Sequence, residues 1–381
     1  MRRRSHTIDI FRVVALLLVL VYHSWVLTGS LPFRCDALSL IVSLGGEIGV
    51  TAFFALSGYG IYYSIASQER KEGFRFFPYM RRRCRRIVPQ YYISILFAVV
   101  FLYGGAYLSF GGGIKSIVTH LLFIHNLFPS YHGAINGVLW TMGVTFQFYI
   151  LAYPLYKGMK KGGTFFAVFC MIVTIAAKSI LYAYVLPGCN MDHNLEFFSG
   201  RQLITSLDNF TAGMYVAYLG EKIQLRHKSN FPYLGGVVLG CIVIYAVCFL
   251  GRENGIHTNN LSGYVWHSCL ALGLGIIMFF CSMIQCNPEN RIVKGILLLS
   301  KYEYGIYIWH ILIINNLIVN SGIVQAIMNS PWPKLVYPVF IVISIFVGCL
   351  LSRMTDAYMN ERAGTNVKAE VNERTEMKNV S

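Results

Sequence analysis

An all-α, multi-pass membrane bundle of about ten transmembrane helices, with one short re-entrant or interfacial segment, is the fold class this sequence predicts. Three observations carry the prediction. Of 381 residues, 55% are hydrophobic and only 13% are charged, giving a mean hydropathy of +0.54 that a water-soluble domain of this length does not need. Apolar runs near the roughly 20 residues that cross a ~30 Å hydrocarbon core recur along the whole chain. The basic residues lie between those runs and concentrate in alternate loops, as topology signals do.

The spans are expected at 8–28, 45–66, 87–108, 138–156, 164–186, 202–219, 232–250, 262–284, 303–320 and 335–352. With the N-terminus placed in the cytoplasm, the loops on that side hold 24 lysines and arginines. The outer loops then hold five: Arg34, Lys115, Arg201, Arg252 and Lys334. This asymmetry predicts that both termini are cytoplasmic. The stretch 114–128, IKSIVTHLLFIHNLF, is short for a span and would break the alternation, so it is expected to be re-entrant or interfacial. Its His120 and His125, with His132 after it, could line an outer vestibule or simply be solvated or pack between helices. The first apolar run is longer than the core of a signal peptide and no small-residue cleavage site follows, which predicts a retained first span. Residues 1–353 thus form one membrane domain, and 354–381 read as a polar, flexible cytoplasmic tail.

Composition also excludes. The net charge of +15 is accounted for by the topology signals, so no nucleic-acid partner is expected; membrane lipids are. The ten cysteines form no CxxC and no Cys/His ligand pattern, so no metal is expected. No Walker motif, HExxH or Ser-His-Asp order appears.

Within the first span, Arg12 and His23 are eleven residues apart, which returns a helix to within about 20° of its starting direction and about 16 Å along its axis. An arginine and a histidine on one stripe of a membrane helix point to a pathway or a reactive site. Taken singly, Arg12 could snorkel to the headgroups and His23 could bond a neighbouring helix. Asp9, three residues before Arg12, is placed to hold the guanidinium. In MRRRCRR, ahead of the third span, Arg83 and Arg86 share a helical face; they suit topology and anionic lipid, or the bidentate grip of donor phosphates. Glu47, Ser57, Gln147, Asp208, Glu303 and His310 are further polar groups in or beside spans, and Trp140, Tyr149, Tyr304, Tyr307 and Trp309 suit packing or interfacial belts.

Five segments together resemble the acyltransferase-3 family of bacterial membrane O-acyltransferases. IDIFRVVALLLVLVYHSW is similar to its first helix, with arginine, ten residues and histidine. FFALSGYGIYY, RRRCRRIVPQYY, LWTMGVTFQFYILAYPLY and SKYEYGIYIWH resemble its later elements, in family order to about residue 310. One position departs: the glutamate usual five residues after the tryptophan is Thr145 here. An extracellular hydrolase-like domain, as some members append, is not expected here.

The resemblance implies transfer of an acyl group, most simply acetyl, from cytoplasmic acyl-CoA to a hydroxyl of a cell-surface or secreted glycan or glycolipid at the bacterial cytoplasmic membrane. His23 is then the catalytic base, with Arg12 beside it in placing the donor, and Arg83 and Arg86 dock the acyl-CoA phosphates. Asp9, Trp140, Gln147, Tyr149 and His310 fall to substrate binding. Acyl-CoA is a donor substrate, and no tightly bound cofactor is expected. The competing reading is a transporter or export component for polysaccharide or small acids without acyl transfer. The oligomeric state is left open.

Overall fold

The computed structural model describes residues 6–379 except 31, 32, 34, 104–106, 108–111, 186–199, 224–229, 257, 315 and 317–321, with backbone alone at 323 and 358–379. Among the described residues every regular element is helical. In chain order these are α1 (His6–Leu27), α2 (Asp36–Ser43), α3 (Gly45–Glu72), α4 (Phe76–Phe97), α5 (Gly112–Leu121), α6 (Trp140–Ile180), α7 (Leu207–Lys222), α8 (Phe231–Asn254), α9 (Leu261–Cys281), α10 (Arg291–Ile313), α11 (Ile323–Met328) and α12 (Val336–Asn379). Seven of them are long and apolar enough to cross a membrane: α1, α3, α4 with the π-turn that follows it, α6, α8, α9 and the first part of α12. Apolar side chains point outward from these helices, among them Phe165, Phe169, Ile172, Val238, Ile242 and Phe346. So much exposed apolar surface suits hydrocarbon and not water.

Local chemistry sets several boundaries. Asn260 and Asn290 cap α9 and α10 by accepting from backbone N–H groups of the first turn. Gly73 (φ 76°) and Gly255 (φ 82°) end α3 and α8 in conformations open to glycine. Gly163 (φ 50°, ψ −124°) breaks α6 into two helices within a span of 46 residues to Val185. At 1.5 Å per residue, that length exceeds twice the ~30 Å core.

Two expectations are corrected. The arginines of MRRRCRR do not sit in a loop: α3 runs on to Glu72 and α4 begins at Phe76, so the arginines form the first turns of α4. The segment expected to span at 303–320 belongs to a helix that starts earlier, at Arg291 on its Asn290 cap, and is α-helical to Ile313; 315 and 317–320 of the expected span lie outside the described residues. Residues 354–379, read from the sequence as a polar tail, continue α12 as helix; the Ala, Lys and Glu there are good helix formers. The segment 114–128 becomes α5, ten residues or about 15 Å long, then a single 3₁₀ turn at His125–Leu127.

The core forms around α1, α3, α6, α7 and α10. Leu16, Val19 and Leu20 of α1 pack on Ile306 and Tyr307 of α10, and Phe54 of α3 on Phe148 of α6, which stacks on Phe210 of α7 at 4.2 Å. α3 and α7 cross closely because Gly58 and Gly213 leave room: a Cβ on Gly58 would overlap the Phe210 carbonyl, and one on Gly213 the Ala55 carbonyl. At one end, Glu69 accepts from Tyr156 (2.9 Å) and pairs with Lys157 (3.0 Å), while Glu221 accepts from Tyr62 (3.0 Å) and pairs with Arg70 (3.3 Å). These bonds tie α3, α6 and α7 together at that end.

Two contacts fix how α1 and α10 lie. Arg12 Nε is 2.9 Å from Glu303 Oε2, and His23 Nδ1 is 3.2 Å from His310 Nε2. The partners rise in the same order on both helices, so α1 and α10 run parallel. The predicted stripe is real: Arg12 and His23 both face α10.

Candidate active site

A cavity of about 110 Å³ opens between α1, α3, α4, α6 and α10. Its charged lining is Arg12, Arg83, Arg86 and Glu303. Its polar lining is Ser57, Thr141, Thr145, Tyr149, Tyr304 and Tyr307, and Phe53, Phe54, Val50, Leu56 and Met142 supply the apolar wall. Gly60 also borders it, and a Cβ there would meet no atom within 4 Å. The arrangement can bind anions on guanidinium groups at one end and take a narrow, partly apolar chain beyond them.

Each guanidinium is positioned. Arg12 lies between two carboxylates, Asp9 Oδ1 at 3.2 Å through Nη1 and Glu303 Oε2 at 2.9 Å through Nε. The i, i+3 spacing of Asp9 and Arg12 makes the first contact local. Arg83 lies over two rings, 5.5 Å from the centre of Tyr79 and 5.6 Å from that of Tyr149, in cation–π geometry. Arg86 is exposed, and its charge acts on Tyr149 and Glu303. Tyr304 donates to the Ile87 carbonyl at 2.8 Å and so ties α10 to the helix that carries both arginines.

At its inner wall, Tyr307 and Thr141 are joined hydroxyl to hydroxyl at 3.0 Å. Beyond Tyr307 lie the two histidines. His310 is wholly buried, its Nδ1 2.6 Å from the Tyr307 carbonyl and its Nε2 3.2 Å from His23 Nδ1. His23 is partly exposed, and its Nδ1 also lies 3.0 Å from the Val19 carbonyl, one turn back. His23 does not line the cavity itself; Tyr307 and His310 connect the two. Arg12 and His23 therefore meet α10 at two levels, and only Arg12 lines the cavity.

Of the other residues expected at the site, Tyr149, Arg83 and Arg86 line the cavity and Asp9 supports Arg12. Trp140 and Gln147 are elsewhere. Trp140, at the start of α6, lies under the Arg201 guanidinium, 5.4 Å from its ring centre. Gln147 donates to Asn126 Oδ1 (2.8 Å) and to the Phe123 carbonyl (3.3 Å), holding the turn after α5. Asn126 is in turn bonded to Arg201 and Gln202, and Arg201 donates to His132 Nδ1 at 2.6 Å. Burial, with the Arg201 charge adding to it, pushes His132 down to about 4, so the ring accepts that bond neutral. These loops form the far end of the bundle, above His23, and the Arg201 charge acts on both His23 and Tyr307.

Glu303, Tyr307 and Thr141 were not predicted as site residues. Glu303 and His310 are seven residues apart, two helical turns, and that spacing places them on one face just as the spacing of eleven does for Arg12 and His23. It is the signal that could have found the α10 half of the site. Thr145, where the family's glutamate was expected, does line the cavity, and a carboxylate is present in the same cavity from α10 in Glu303. Among the described residues no cluster of three or more His, Cys, Asp or Glu could hold a metal ion.

The model of one family, described as an acyltransferase domain, matches residues 5–354. The chain is similar to an O-acetyl transferase of Shigella phage Sf6, 29% identical over 80% of this chain and 84% of that protein. It is also similar to the peptidoglycan O-acetyltransferase OatA of Listeria monocytogenes, 23% identical over 81% of this chain but only 49% of that protein, so it spans about half of that relative's length. A putative acetyltransferase of Acidianus two-tailed virus is 23% identical over 79% of this chain and 81% of that protein. No solved structure matches. With a family model that covers almost all of its helical bundle, the chain belongs to the acyltransferase-3 family of membrane acyltransferases.

Proposed function

We propose that this acyltransferase moves an acyl group, in the simplest case acetyl, from cytoplasmic acyl-CoA to a hydroxyl of a glycan or glycolipid destined for the cell surface. The observation that carries the reading is the two-level arrangement: a guanidinium-lined cavity at the level of Arg12 and Glu303, and a histidine pair one helical stage above it. The nucleotide phosphates of the donor rest on Arg83 and Arg86 at the mouth, where paired guanidinium groups suit phosphate oxygens. The slender arm enters the cavity past Arg12, with its thioester directed towards Tyr307. The acceptor approaches from the far end, where Trp140 and the loops tied by Asn126 lie over His23.

In the transfer, His23 Nε2 takes the proton of the acceptor hydroxyl as its oxygen bonds to the acyl carbon. The carbon–sulfur bond then breaks, and the departing thiolate receives that proton from His23. Reactants and products carry the same atoms and charge, so the cycle needs no added oxidant or reductant. Arg12, gripped by Asp9 and Glu303, keeps a fixed positive charge near the donor.

We read ten crossings with both termini cytoplasmic: α6, divided at Gly163, crosses twice, and the sixteen-residue α7 and α10 join the other long apolar helices. The parallel course of α1 and α10 is compatible with this count, which leaves an odd number of crossings between them. The 24-to-five distribution of basic residues sets the same orientation, which corresponds to a bacterial inner membrane with α5 re-entrant or interfacial on the outer side. Family membership favours acyl transfer over transport or export without chemistry.

The test uses sealed membrane vesicles. Labelled acetyl-CoA offered to the cytoplasmic face of inverted vesicles should label the glycan fraction, and mass spectrometry should find the corresponding acyl ester on surface glycans only when the gene is present. Label incorporated equally from the outer face, or glycans unchanged by loss of the gene, would contradict the reading.

A further inference from the structure

The two histidines constrain each other's protons. His310 Nδ1 faces the Tyr307 carbonyl at 2.6 Å, and a carbonyl oxygen only accepts, so Nδ1 carries the hydrogen. In a neutral ring the other nitrogen, Nε2, then holds a lone pair, and that lone pair points at His23 Nδ1, 3.2 Å away. His23 Nδ1 faces a second acceptor as well, the Val19 carbonyl at 3.0 Å. Two acceptors on one nitrogen place the hydrogen there and leave the lone pair of His23 on Nε2.

From this geometry we propose that His310 is the positioning residue of the reaction, a buried neutral imidazole that keeps the proton of His23 on Nδ1 and backs the charge that forms when Nε2 takes up the acceptor's proton. The inference rests on the reading of His23 as the base. His310 touches neither donor nor acceptor and acts only through His23. Its complete burial and the Tyr307 carbonyl hold it in the accepting tautomer. In the opposite tautomer it would donate to His23 Nδ1, move the His23 proton to Nε2 and leave the base with nothing to receive a proton. As the imidazolium forms, the bond from Nδ1–H to His310 becomes charge-assisted and strengthens, so its contribution is made in the transition state and is read in kcat.

The test compares His310→Leu and His310→Gln in the purified full-length protein, with thermal unfolding midpoints confirming that each variant is folded. Leucine removes the acceptor; glutamine keeps one in its side-chain carbonyl oxygen. His310→Leu is expected to lower kcat about 10- to 100-fold, the factor carried by one hydrogen bond to a charged group, with KM for acetyl-CoA unchanged. His310→Gln should retain most of the wild-type rate. In ¹⁵N-histidine-labelled wild type, both His23 and His310 should show the Nδ1–H tautomer, their signals assigned by loss in His23→Gln and His310→Gln. Full activity in His310→Leu, equal inactivity of folded His310→Gln and His310→Leu, or an Nε2–H signal from His310 would overturn the proposal. If His310→Leu does not fold, the glutamine variant and the wild-type spectra decide. An active His23→Gln protein would instead remove the reading of His23 on which this one stands.

Discussion

Glu303→Gln is the perturbation whose consequences the structure fixes most closely. The carboxylate holds Arg12 at 2.9 Å, and the two side chains are 19% and 13% exposed, so the pair is neither on the surface nor fully dry. Opposite charges at that separation attract by about 6 kcal/mol at an effective dielectric constant near 20. Desolvation offsets part of this attraction, and Asp9 remains on the guanidinium when Glu303 is neutralised. The coupling left for a double-mutant cycle between Glu303→Gln and Arg12→Gln is therefore about 1–3 kcal/mol. With about 2–4 °C of melting temperature per kcal/mol for domains of a few hundred residues, a loss of that size in Glu303→Gln should lower the unfolding midpoint in detergent by roughly 2–12 °C. It should also raise KM for acyl-CoA, because Arg12 loses one of the two partners that aim it into the cavity. Stability effects that simply add in the double variant would show that the contact contributes nothing. An unchanged KM would remove Arg12 from donor placement.

Three further outcomes follow from the same geometry. Arg83→Lys with Arg86→Lys keeps the basic charge but removes the forked donors, so insertion should be normal and KM for acyl-CoA should rise; an unchanged KM would return these arginines to topology and lipid contact. Gly60→Ala should be nearly silent because its Cβ meets open space, whereas Gly60→Trp should fill the cavity and abolish transfer in a folded protein; an active tryptophan variant would mean that the donor uses another route. His120 and His132, both pushed down to about 4 chiefly by burial, are neutral in the folded protein and titrate near 6.5 when unfolded. Because their folded values lie below the unfolded ones, stability should fall as pH drops from about 6.5 towards 4, measured as the unfolding midpoint, and His132→Asn should flatten part of that slope.

Much of the architecture was legible from hydropathy because lipid demands long apolar helices with internally satisfied backbones. The limits of legibility have local causes. The α4 arginines were expected in a loop because charge was read as a break, yet long basic side chains continue a helix readily. Gly163 divides α6 by a backbone conformation that hydropathy does not record. At the site, the spacing of Arg12 and His23 identified the α1 half, since periodicity within one helix is visible in sequence. Their partners Glu303 and His310 lie almost 300 residues away, and only the packing of α1 on α10 reveals that the pairs match. Trp140 and Gln147 were assigned to substrate binding by resemblance; the structure places both outside the cavity, in contact with Arg201 and with the turn after α5, a location that residue type alone does not give.

The most direct measurement of the account is single-turnover transfer from labelled acetyl-CoA by purified, folded His23→Gln protein. Glutamine can keep a hydrogen bond to the Val19 carbonyl but cannot accept the acceptor's proton at the position of Nε2. A general base typically contributes about 10² to 10⁴-fold. The account predicts that transfer falls by at least the lower of these factors, while acetyl-CoA binding at Arg12, Arg83 and Arg86 is preserved. Transfer at a rate near that of the unaltered protein would contradict it.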